Sequence, residues 1–442
     1  MNLQQLSTAG TAQEYANQYK HQFGKEINLS MSLDQAVVML SEAQNLLIEH
    51  RNSSKFFSSH KDKNYLKALM LEKALTAKVK ELQEADAGSF GGNNKQAGKT
   101  MKNISIFALI LSLFASNIVF ANEVNIFNAR HYKADAELYE KFTKKTGIKV
   151  NLINGKASAL EKRMIEEGTD SSADLYITAD AGRCGVFKSK GMTQGGLTST
   201  AIKAAVPANF RTNHWTGIAK RARIVYYAPE RVTGAELSGL TYESLADPKW
   251  KGRLVIRASG NIYNKSLVAS LVKNNGKKAT AEWAKGVVAN MARSPKGNDR
   301  AQIMAVAAGE ADIAVANTYY LALMLSGQKG AEQQAAAKKV KAFFPNQNDR
   351  GTHMNISCAA LVKGAPNKGN AIKLVEYLLT PEAQEHFTNN TFEFPMIDGV
   401  SPNPLVVNNL GLDFKQDLKT KVVNYGKLQA DALAAMTGAG WK

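Results

Sequence analysis

From Asn122 onward, short runs of Val, Ile, Leu and aromatic residues alternate with longer amphipathic stretches. The apolar runs are VNIFNAR (124–130), IKVNLI (148–153), ADLYITAD (173–180), GIAKRARIVYY (217–227), GRLVIRAS (252–259), ADIAVAN (311–317), VKAFFPN (340–346) and NISCAALVKG (355–364). Each is rich in β-branched or aromatic residues and is bounded by Gly, Asn or Asp, so each predicts a strand. Between them, KADAELYEKFTKKTG, SALEKRMIEEG, KSLVASLVKNNG and ATAEWAKGVVANMAR place apolar residues at helical spacing. Further on, NKGNAIKLVEYLL predicts a helix, and Thr380 followed by Pro381 predicts the capped start of the next. Such alternation predicts an α/β protein with mostly parallel sheets. About 320 residues exceed one comfortable sheet, so two lobes are expected, the first over about 122–216 and 350–400 and the second over about 217–349.

Ahead of this part the pattern changes twice. MSLDQAVVMLSEAQNLLIEH and NYLKALMLEKALTAKVKELQEA are amphipathic and predict a small helical hairpin over 1–88, and DAGSFGGNNKQAGKT continues into a flexible linker over 89–100. Residues 101–121, MKNISIFALILSLFASNIVFA, then have the charged start, apolar centre and small-residue end of a secretory signal peptide. The alternative is a transmembrane or buried helix, against which Ser112, Ser116 and Asn117 argue. Export from a start at Met101 would place residues 122–442 in the periplasm, whereas retention of 101–121 would tether them to the membrane. A mis-assigned start, read-through from an upstream gene and a true fusion all account for the order of segments.

Composition narrows the class. The 442 residues are 44% hydrophobic and 21% charged, as in globular proteins, and predict two to four folding units. Of the net charge of +18, residues 1–100 hold +2, from 12 basic and 10 acidic side chains, which leaves +16 for the rest. That charge favours anionic partners, but Lys and Arg are scattered and no nucleic-acid motif occurs, so nucleic acid is not expected among them. Cys184 and Cys358 are the only cysteines, which excludes a disulfide framework and a CxxC zinc site. They permit one bridge or two buried thiols, and the free pair is the commoner arrangement.

In open α/β sheets ligands sit where strands end and helices begin. His131 and Tyr132, Asp180, Tyr263, and Tyr319 with Tyr320 all fall at such ends. Phenols ionise only near pH 10, and a small trivalent cation supplies the field that deprotonates them. Hard cations prefer oxygen donors, and phenolate suits ferric iron. A helix starting at Tyr319 would add the positive end of its dipole. Tyrosine is equally a common half-buried packing residue, so clustering alone leaves both readings open.

Several blocks decide the matter further: FNARHY, KRARIVYY, LADPKWKGRLVIRASGNIYNKSLVASL, GNDRAQIMAVAAGEADIAVANTYY and FFPNQNDRGTHMNIS. Together, over residues 123 to about 400, they resemble the ferric-iron substrate-binding proteins of ABC importers, of the FutA type and related to FbpA. Residues 1–100 take no part in the resemblance. It implies a two-lobed periplasmic-binding-protein fold (type II), with hinge strands crossing near GIAKRARIVYY and FFPNQNDRGTHMNIS and closing on the metal. It implies Fe(III) as bound cargo, held by Tyr132, Tyr263, Tyr319 and Tyr320. His131 is a further candidate ligand, and Arg223, or failing it Arg221, would balance phenolate charge. It implies an inner-membrane permease and its ATPase as partners, iron or an anionic iron chelate as ligand, and a monomeric binding domain without catalytic turnover. One departure from the family is Leu323, where some members carry an arginine three residues after the tyrosine pair, which leaves Fe(II) binding open; FEFP at 392–395 is another. Rivals are a binding protein for an oxyanion, polyamine or thiamine-like cation, and a fusion or assembly protein displaying an iron-binding part. An enzyme is disfavoured, because no nucleophile elbow, P-loop or paired catalytic carboxylates occur.

Overall fold

The computed structural model describes residues 11–23, 25–33, 35–36, 39–40, 43, 63–88, 122–130, 132 and 134–442. The predicted linker, the apolar segment 101–121 and His131 lie outside the described residues. The chain divides into two units, Met1–Ile118 and Val119–Lys442.

In the first unit, helix α1 (Ala12–Phe23) packs against α2 (Lys63–Gly88). Ala12, Tyr15 and Ala16 are buried on one, and Met70, Ala74 and Leu75 on the other. The Ala12 N–H donates to Glu81 Oε1 at 2.9 Å. Helix α2 coincides with the predicted amphipathic stretch, but α1 was not legible, because a stripe of alanines beside one tyrosine makes no apolar run. Residues 33, 35, 36, 39, 40 and 43, within the other predicted helix, are helical.

In the second unit all eight predicted strands form. They are β1 (Glu123–Asn128), β2 (Lys149–Asn154), β3 (Leu175–Thr178), β4 (Trp215–Tyr227), β5 (Leu254–Val255), β6 (Ile313–Asn317), β7 (Lys341–Phe343) and β8 (Met354–Leu361). Their order is β2-β1-β3-β8-β4-β6-β5, with β7 also on β4. Only β1–β2, β1–β3 and β5–β6 are parallel; every pairing of β4 and β8 is antiparallel. The expected mostly parallel sheet is therefore corrected, and the cause is the crossing strands. Residues 215–222 of β4 pair with β8, whereas 223–227 pair with β6 and β7, so one strand runs out of the first lobe and into the second. The segment between β7 and β8 returns. These are the hinge strands of a two-lobed periplasmic-binding-protein fold.

Helices cover the sheet: α3 (Asp135–Thr146), α4 (Ala157–Glu167) and α5 (Ala181–Ser189) on the first lobe, and α6 (Ile262–Asn275), α7 (Lys277–Asn290), α8 (Asp299–Ala307) and α9 (Tyr319–Leu325) on the second. The two predicted helices α10 (Lys368–Leu378) and α11 (Pro381–Thr391) return to the first lobe, and the Thr380 side chain caps α11 as expected. Two apolar clusters result: α5 contributes Ala181, Cys184 and Phe187 to one, and α6 contributes Leu267, Val268, Ala269 and Leu271 to the other. The chain ends in α12 (Pro404–Leu410), α13 (Val423–Lys427) and α14 (Gln429–Gly438). Helix α13 lies against both α5 and α6.

The cysteines are not free thiols. Thr178 of β3 pairs with Cys358 of β8, which brings the turn into α5 beside β8, and Cys184 is disulfide-bonded to Cys358 with a Cα–Cα distance of 6.7 Å. Sequence separation of 174 residues concealed a proximity that only β8's return creates.

Candidate functional site

Each site tyrosine is presented by a locally determined turn. After β1, the Asn128 side chain accepts from the Arg130 N–H at 3.0 Å and donates to the Arg130 carbonyl at 2.8 Å, redirecting the chain toward Tyr132. Arg130 is held by Asp135 at 2.9 Å and Glu393 at 2.8 Å, and its guanidinium lies 4.6 Å from the centre of the Tyr132 ring. Asn261 caps α6 by accepting from the Tyr263 N–H at 3.1 Å, which puts Tyr263 in the first turn. The β6–α9 turn is pinned from β4: Tyr226 Oη donates to the carbonyls of Asn317 and Thr318, at 3.1 and 3.0 Å. Tyr319 and Tyr320 then open α9, so neighbours in sequence are freed from the opposite-face geometry of a strand.

These turns bring all four tyrosines together at one cavity of about 380 Å³. Tyr319 Oη donates to Tyr263 Oη at 3.3 Å. The ring centres of Tyr319 and Tyr320 are 4.3 Å apart, and Tyr132 meets Tyr319 edge-on at 6.5 Å. Tyr132 comes from the first lobe and the other three from the second. Leu323 also lines the cavity, as do Asp180, Lys156 and Arg183. Among the described residues no group of three or more His, Cys, Asp or Glu side chains is arranged to hold a metal, so hydroxyls dominate the donor set.

Burial pushes the phenols of Tyr132, Tyr319 and Tyr320 well above the usual tyrosine range, and neighbouring phenols add to the rise. The protein alone thus keeps these phenols protonated, and a cation must displace their protons.

Around the rings lies a cationic layer. Arg221, Arg223 and Arg257 stand 5.9, 5.9 and 5.7 Å from the Tyr263 ring centre. Arg223 bonds Asp299 at 3.1 Å, Asn317 at 3.0 Å and Asn264 at 2.7 Å through its two Nη atoms, while its Nε finds no partner among the described residues. Arg221 bonds Ser357 at 3.1 Å and pairs with Glu393 at 3.4 Å, while its Nε and Nη2 find no partner among the described residues. Both arginines singled out in the sequence therefore back Tyr263. Arg130, Arg257 and Glu393 were missed; Arg130 had a signal in belonging to FNARHY, next to His131 and Tyr132, whereas Glu393 and Arg257 had none.

Two lobes joined by crossing strands, with a side-chain-lined cleft between them, define a solute-binding protein that closes on its ligand. Comparison agrees: residues 170–423 match the model of the bacterial extracellular solute-binding proteins, and the chain belongs to that family. Iron uptake protein A1 of Synechocystis is 47% identical over 322 residues, 72% of this chain and 88% of the relative. The Fe(3+)-binding periplasmic protein of Serratia marcescens is 31% identical over 65% of this chain and 83% of its own length. Among solved structures, Trichodesmium FutA in complex with iron and citrate superposes with a TM-score of 0.69 at 49% identity, covering 72% of this chain and all of that one.

Proposed function

We propose that the chain binds ferric iron in the cleft between its lobes through tyrosinates and delivers it to an ABC-type importer, an inner-membrane permease with its ATPase. The ligands are Tyr132, Tyr263, Tyr319 and Tyr320, and His131, next to Tyr132 in sequence, is a further candidate. The observation that carries the reading is the convergence of four phenols from both lobes on one cavity. The iron of the relatives supports it.

Charge supports it too. Arg130, Arg221, Arg223 and Arg257 with their partners Asp135, Glu393 and Asp299 leave one positive charge beneath the rings. Four phenolates on a trivalent ion carry one negative charge, so the loaded site is balanced, whereas a divalent ion would leave it one charge further from neutral. Ligands drawn from two lobes give the metal differential affinity for the closed state, which is what drives closure. No step needs a nucleophile or a general base, and the chain acts as a carrier rather than an enzyme. The remaining +16 of residues 101–442 favours iron arriving as an anionic chelate. The binding part works as a monomer in the periplasm, after export through residues 101–121.

Replacing Tyr319 and Tyr320 together by Phe tests the assignment. Ferric affinity should fall by at least about a hundredfold, as expected for losing two charged ligands, and the phenolate-to-iron charge-transfer band should shrink. Retention of both would reject it.

A further inference from the structure

We infer that Asp180 and Ser266 form a closure latch, a hydrogen bond between the lobes that holds the helix bearing Tyr263 against the first lobe. The inference rests on the cleft being the ligand site.

Asp180 stands at the end of β3 and caps α5, its Oδ1 accepting from the Gly182 N–H at 2.7 Å. The same Oδ1 accepts from Ser266 Oγ at 2.7 Å, and Oδ2 accepts from Asn355 Nδ2 of the hinge strand β8 at 2.8 Å. One carboxylate therefore ties together the first lobe, the hinge and α6 of the second lobe. Asp180 and Ser266 are both fully buried, so the bond is shielded from water and strengthened by its low-dielectric surroundings. Ser266 lies three residues after Tyr263, on the same face of α6. What fixes Ser266 against Asp180 therefore fixes how closely Tyr263 approaches Tyr132 of the first lobe.

Two neighbours show that the junction is built for this approach. A Cβ on Gly182 would come within 2.9 Å of Asp180 Oδ1, Ser266 Oγ and Gln429 Nε2, so glycine is what lets the second lobe reach the start of α5. The Cys184–Cys358 bridge anchors the first turn of α5 to β8, and Cys358 Sγ lies 3.5 Å from the Asp180 carbonyl oxygen. Both hold the acceptor in place. Asp180 and Ser266 are positioning residues: Asp180 borders the cavity of the phenols but its carboxylate is taken up by Gly182, Ser266 and Asn355, and the effect of the pair should appear in retention of iron rather than in its coordination.

The test uses the full chain as wild type, Ser266→Ala and Gly182→Ala. Release of ferric iron to excess EDTA should be about tenfold faster in both variants, with the charge-transfer band at saturation unchanged in position. Release within twofold of wild type in both variants would overturn the latch. The second measurement needs no metal: spin labels at Lys162→Cys and Lys285→Cys, exposed on α4 and α7, report the distance between lobes. In the unliganded chain Ser266→Ala should shift the distance distribution to longer values, and an unchanged distribution would overturn the latch. A wild-type chain that never colours with iron would defeat the iron reading instead, and the label distances would still decide the latch.

Discussion

His353 shows at residue scale how the hinge constrains chemistry. It sits 1% exposed on the return crossing, its ring 4.8 Å from that of Tyr425, its N–H donating to Tyr242 Oη at 3.0 Å and its carbonyl accepting from the Arg223 N–H at 3.1 Å. Burial, and then the charges of Arg223, Arg350 and Arg221, lower its pKa to about 3. Unfolded histidine titrates near pH 6.5, so between pH 6.5 and 3 the unfolded chain binds a proton that the folded chain refuses. The contribution is complete above pH 6.5 and is lost as pH falls, at about 1.4 kcal/mol per pH unit. Urea unfolding at pH 6.5, 5.5 and 4.5 should show a decline that is shallower by about that slope in His353→Gln, and identical slopes would refute the assignment. None of this was legible in THMNIS, because the three arginines reach His353 through the crossing of the hinge strands and not through local sequence. Arg221 and Arg223 were closer to legible: two apart on a strand, they share a face.

At the scale of elements, position was legible and direction was not. The runs from VNIFNAR to NISCAALVKG each became a strand because their composition fits a pleated buried surface whatever the partner. Antiparallel pairing of β4 and β8 depends on where the chain goes between them, which no local pattern encodes. The same return created the disulfide. A bridge closing a loop of 174 residues removes much unfolded-state entropy, worth roughly 3–5 kcal/mol. The double variant Cys184→Ala, Cys358→Ala should therefore melt roughly 5–10 °C lower than the oxidised wild type. Reductant should bring the wild type to the same melting temperature, and a fall under 2 °C in both cases would show that the bridge carries little of the stability. The glycines at the α5–α13 contact belong to this scale as well: a Cβ on Gly426 would meet the Gly185 Cα at 2.7 Å. That is why two short helices can lie so close beside the bridge.

For the molecule as a whole, the placement of phenols at strand ends was legible, since an open α/β sheet puts its ligands there, and the resemblance made the ion explicit. The guanidiniums behind the rings were not, since they come from the turn after β1, from β4 and from the loop after β5 and meet only in the folded cleft. The same whole-chain view bears on the first hundred residues. Among the described residues, both apolar clusters of the second unit draw their members from residues 124 to 441, and all four site tyrosines lie in that span. No helix among the described residues is long and apolar enough to cross a membrane; residues 101–121, read from the sequence as a signal peptide, lie outside them. If that segment is a cleaved signal, a Gram-negative host expressing the full gene should accumulate in its periplasm a species whose first residue, by intact mass, is Asn122. Because that species holds all four site tyrosines, it should show the full charge-transfer band at one iron per chain. Its main thermal transition should fall within about 2 °C of that of the complete chain, because a unit with its own core unfolds on its own account. A periplasmic product that retains residues 1–121, or an Asn122 product that fails to bind iron, would mean that the leading residues are part of the working carrier.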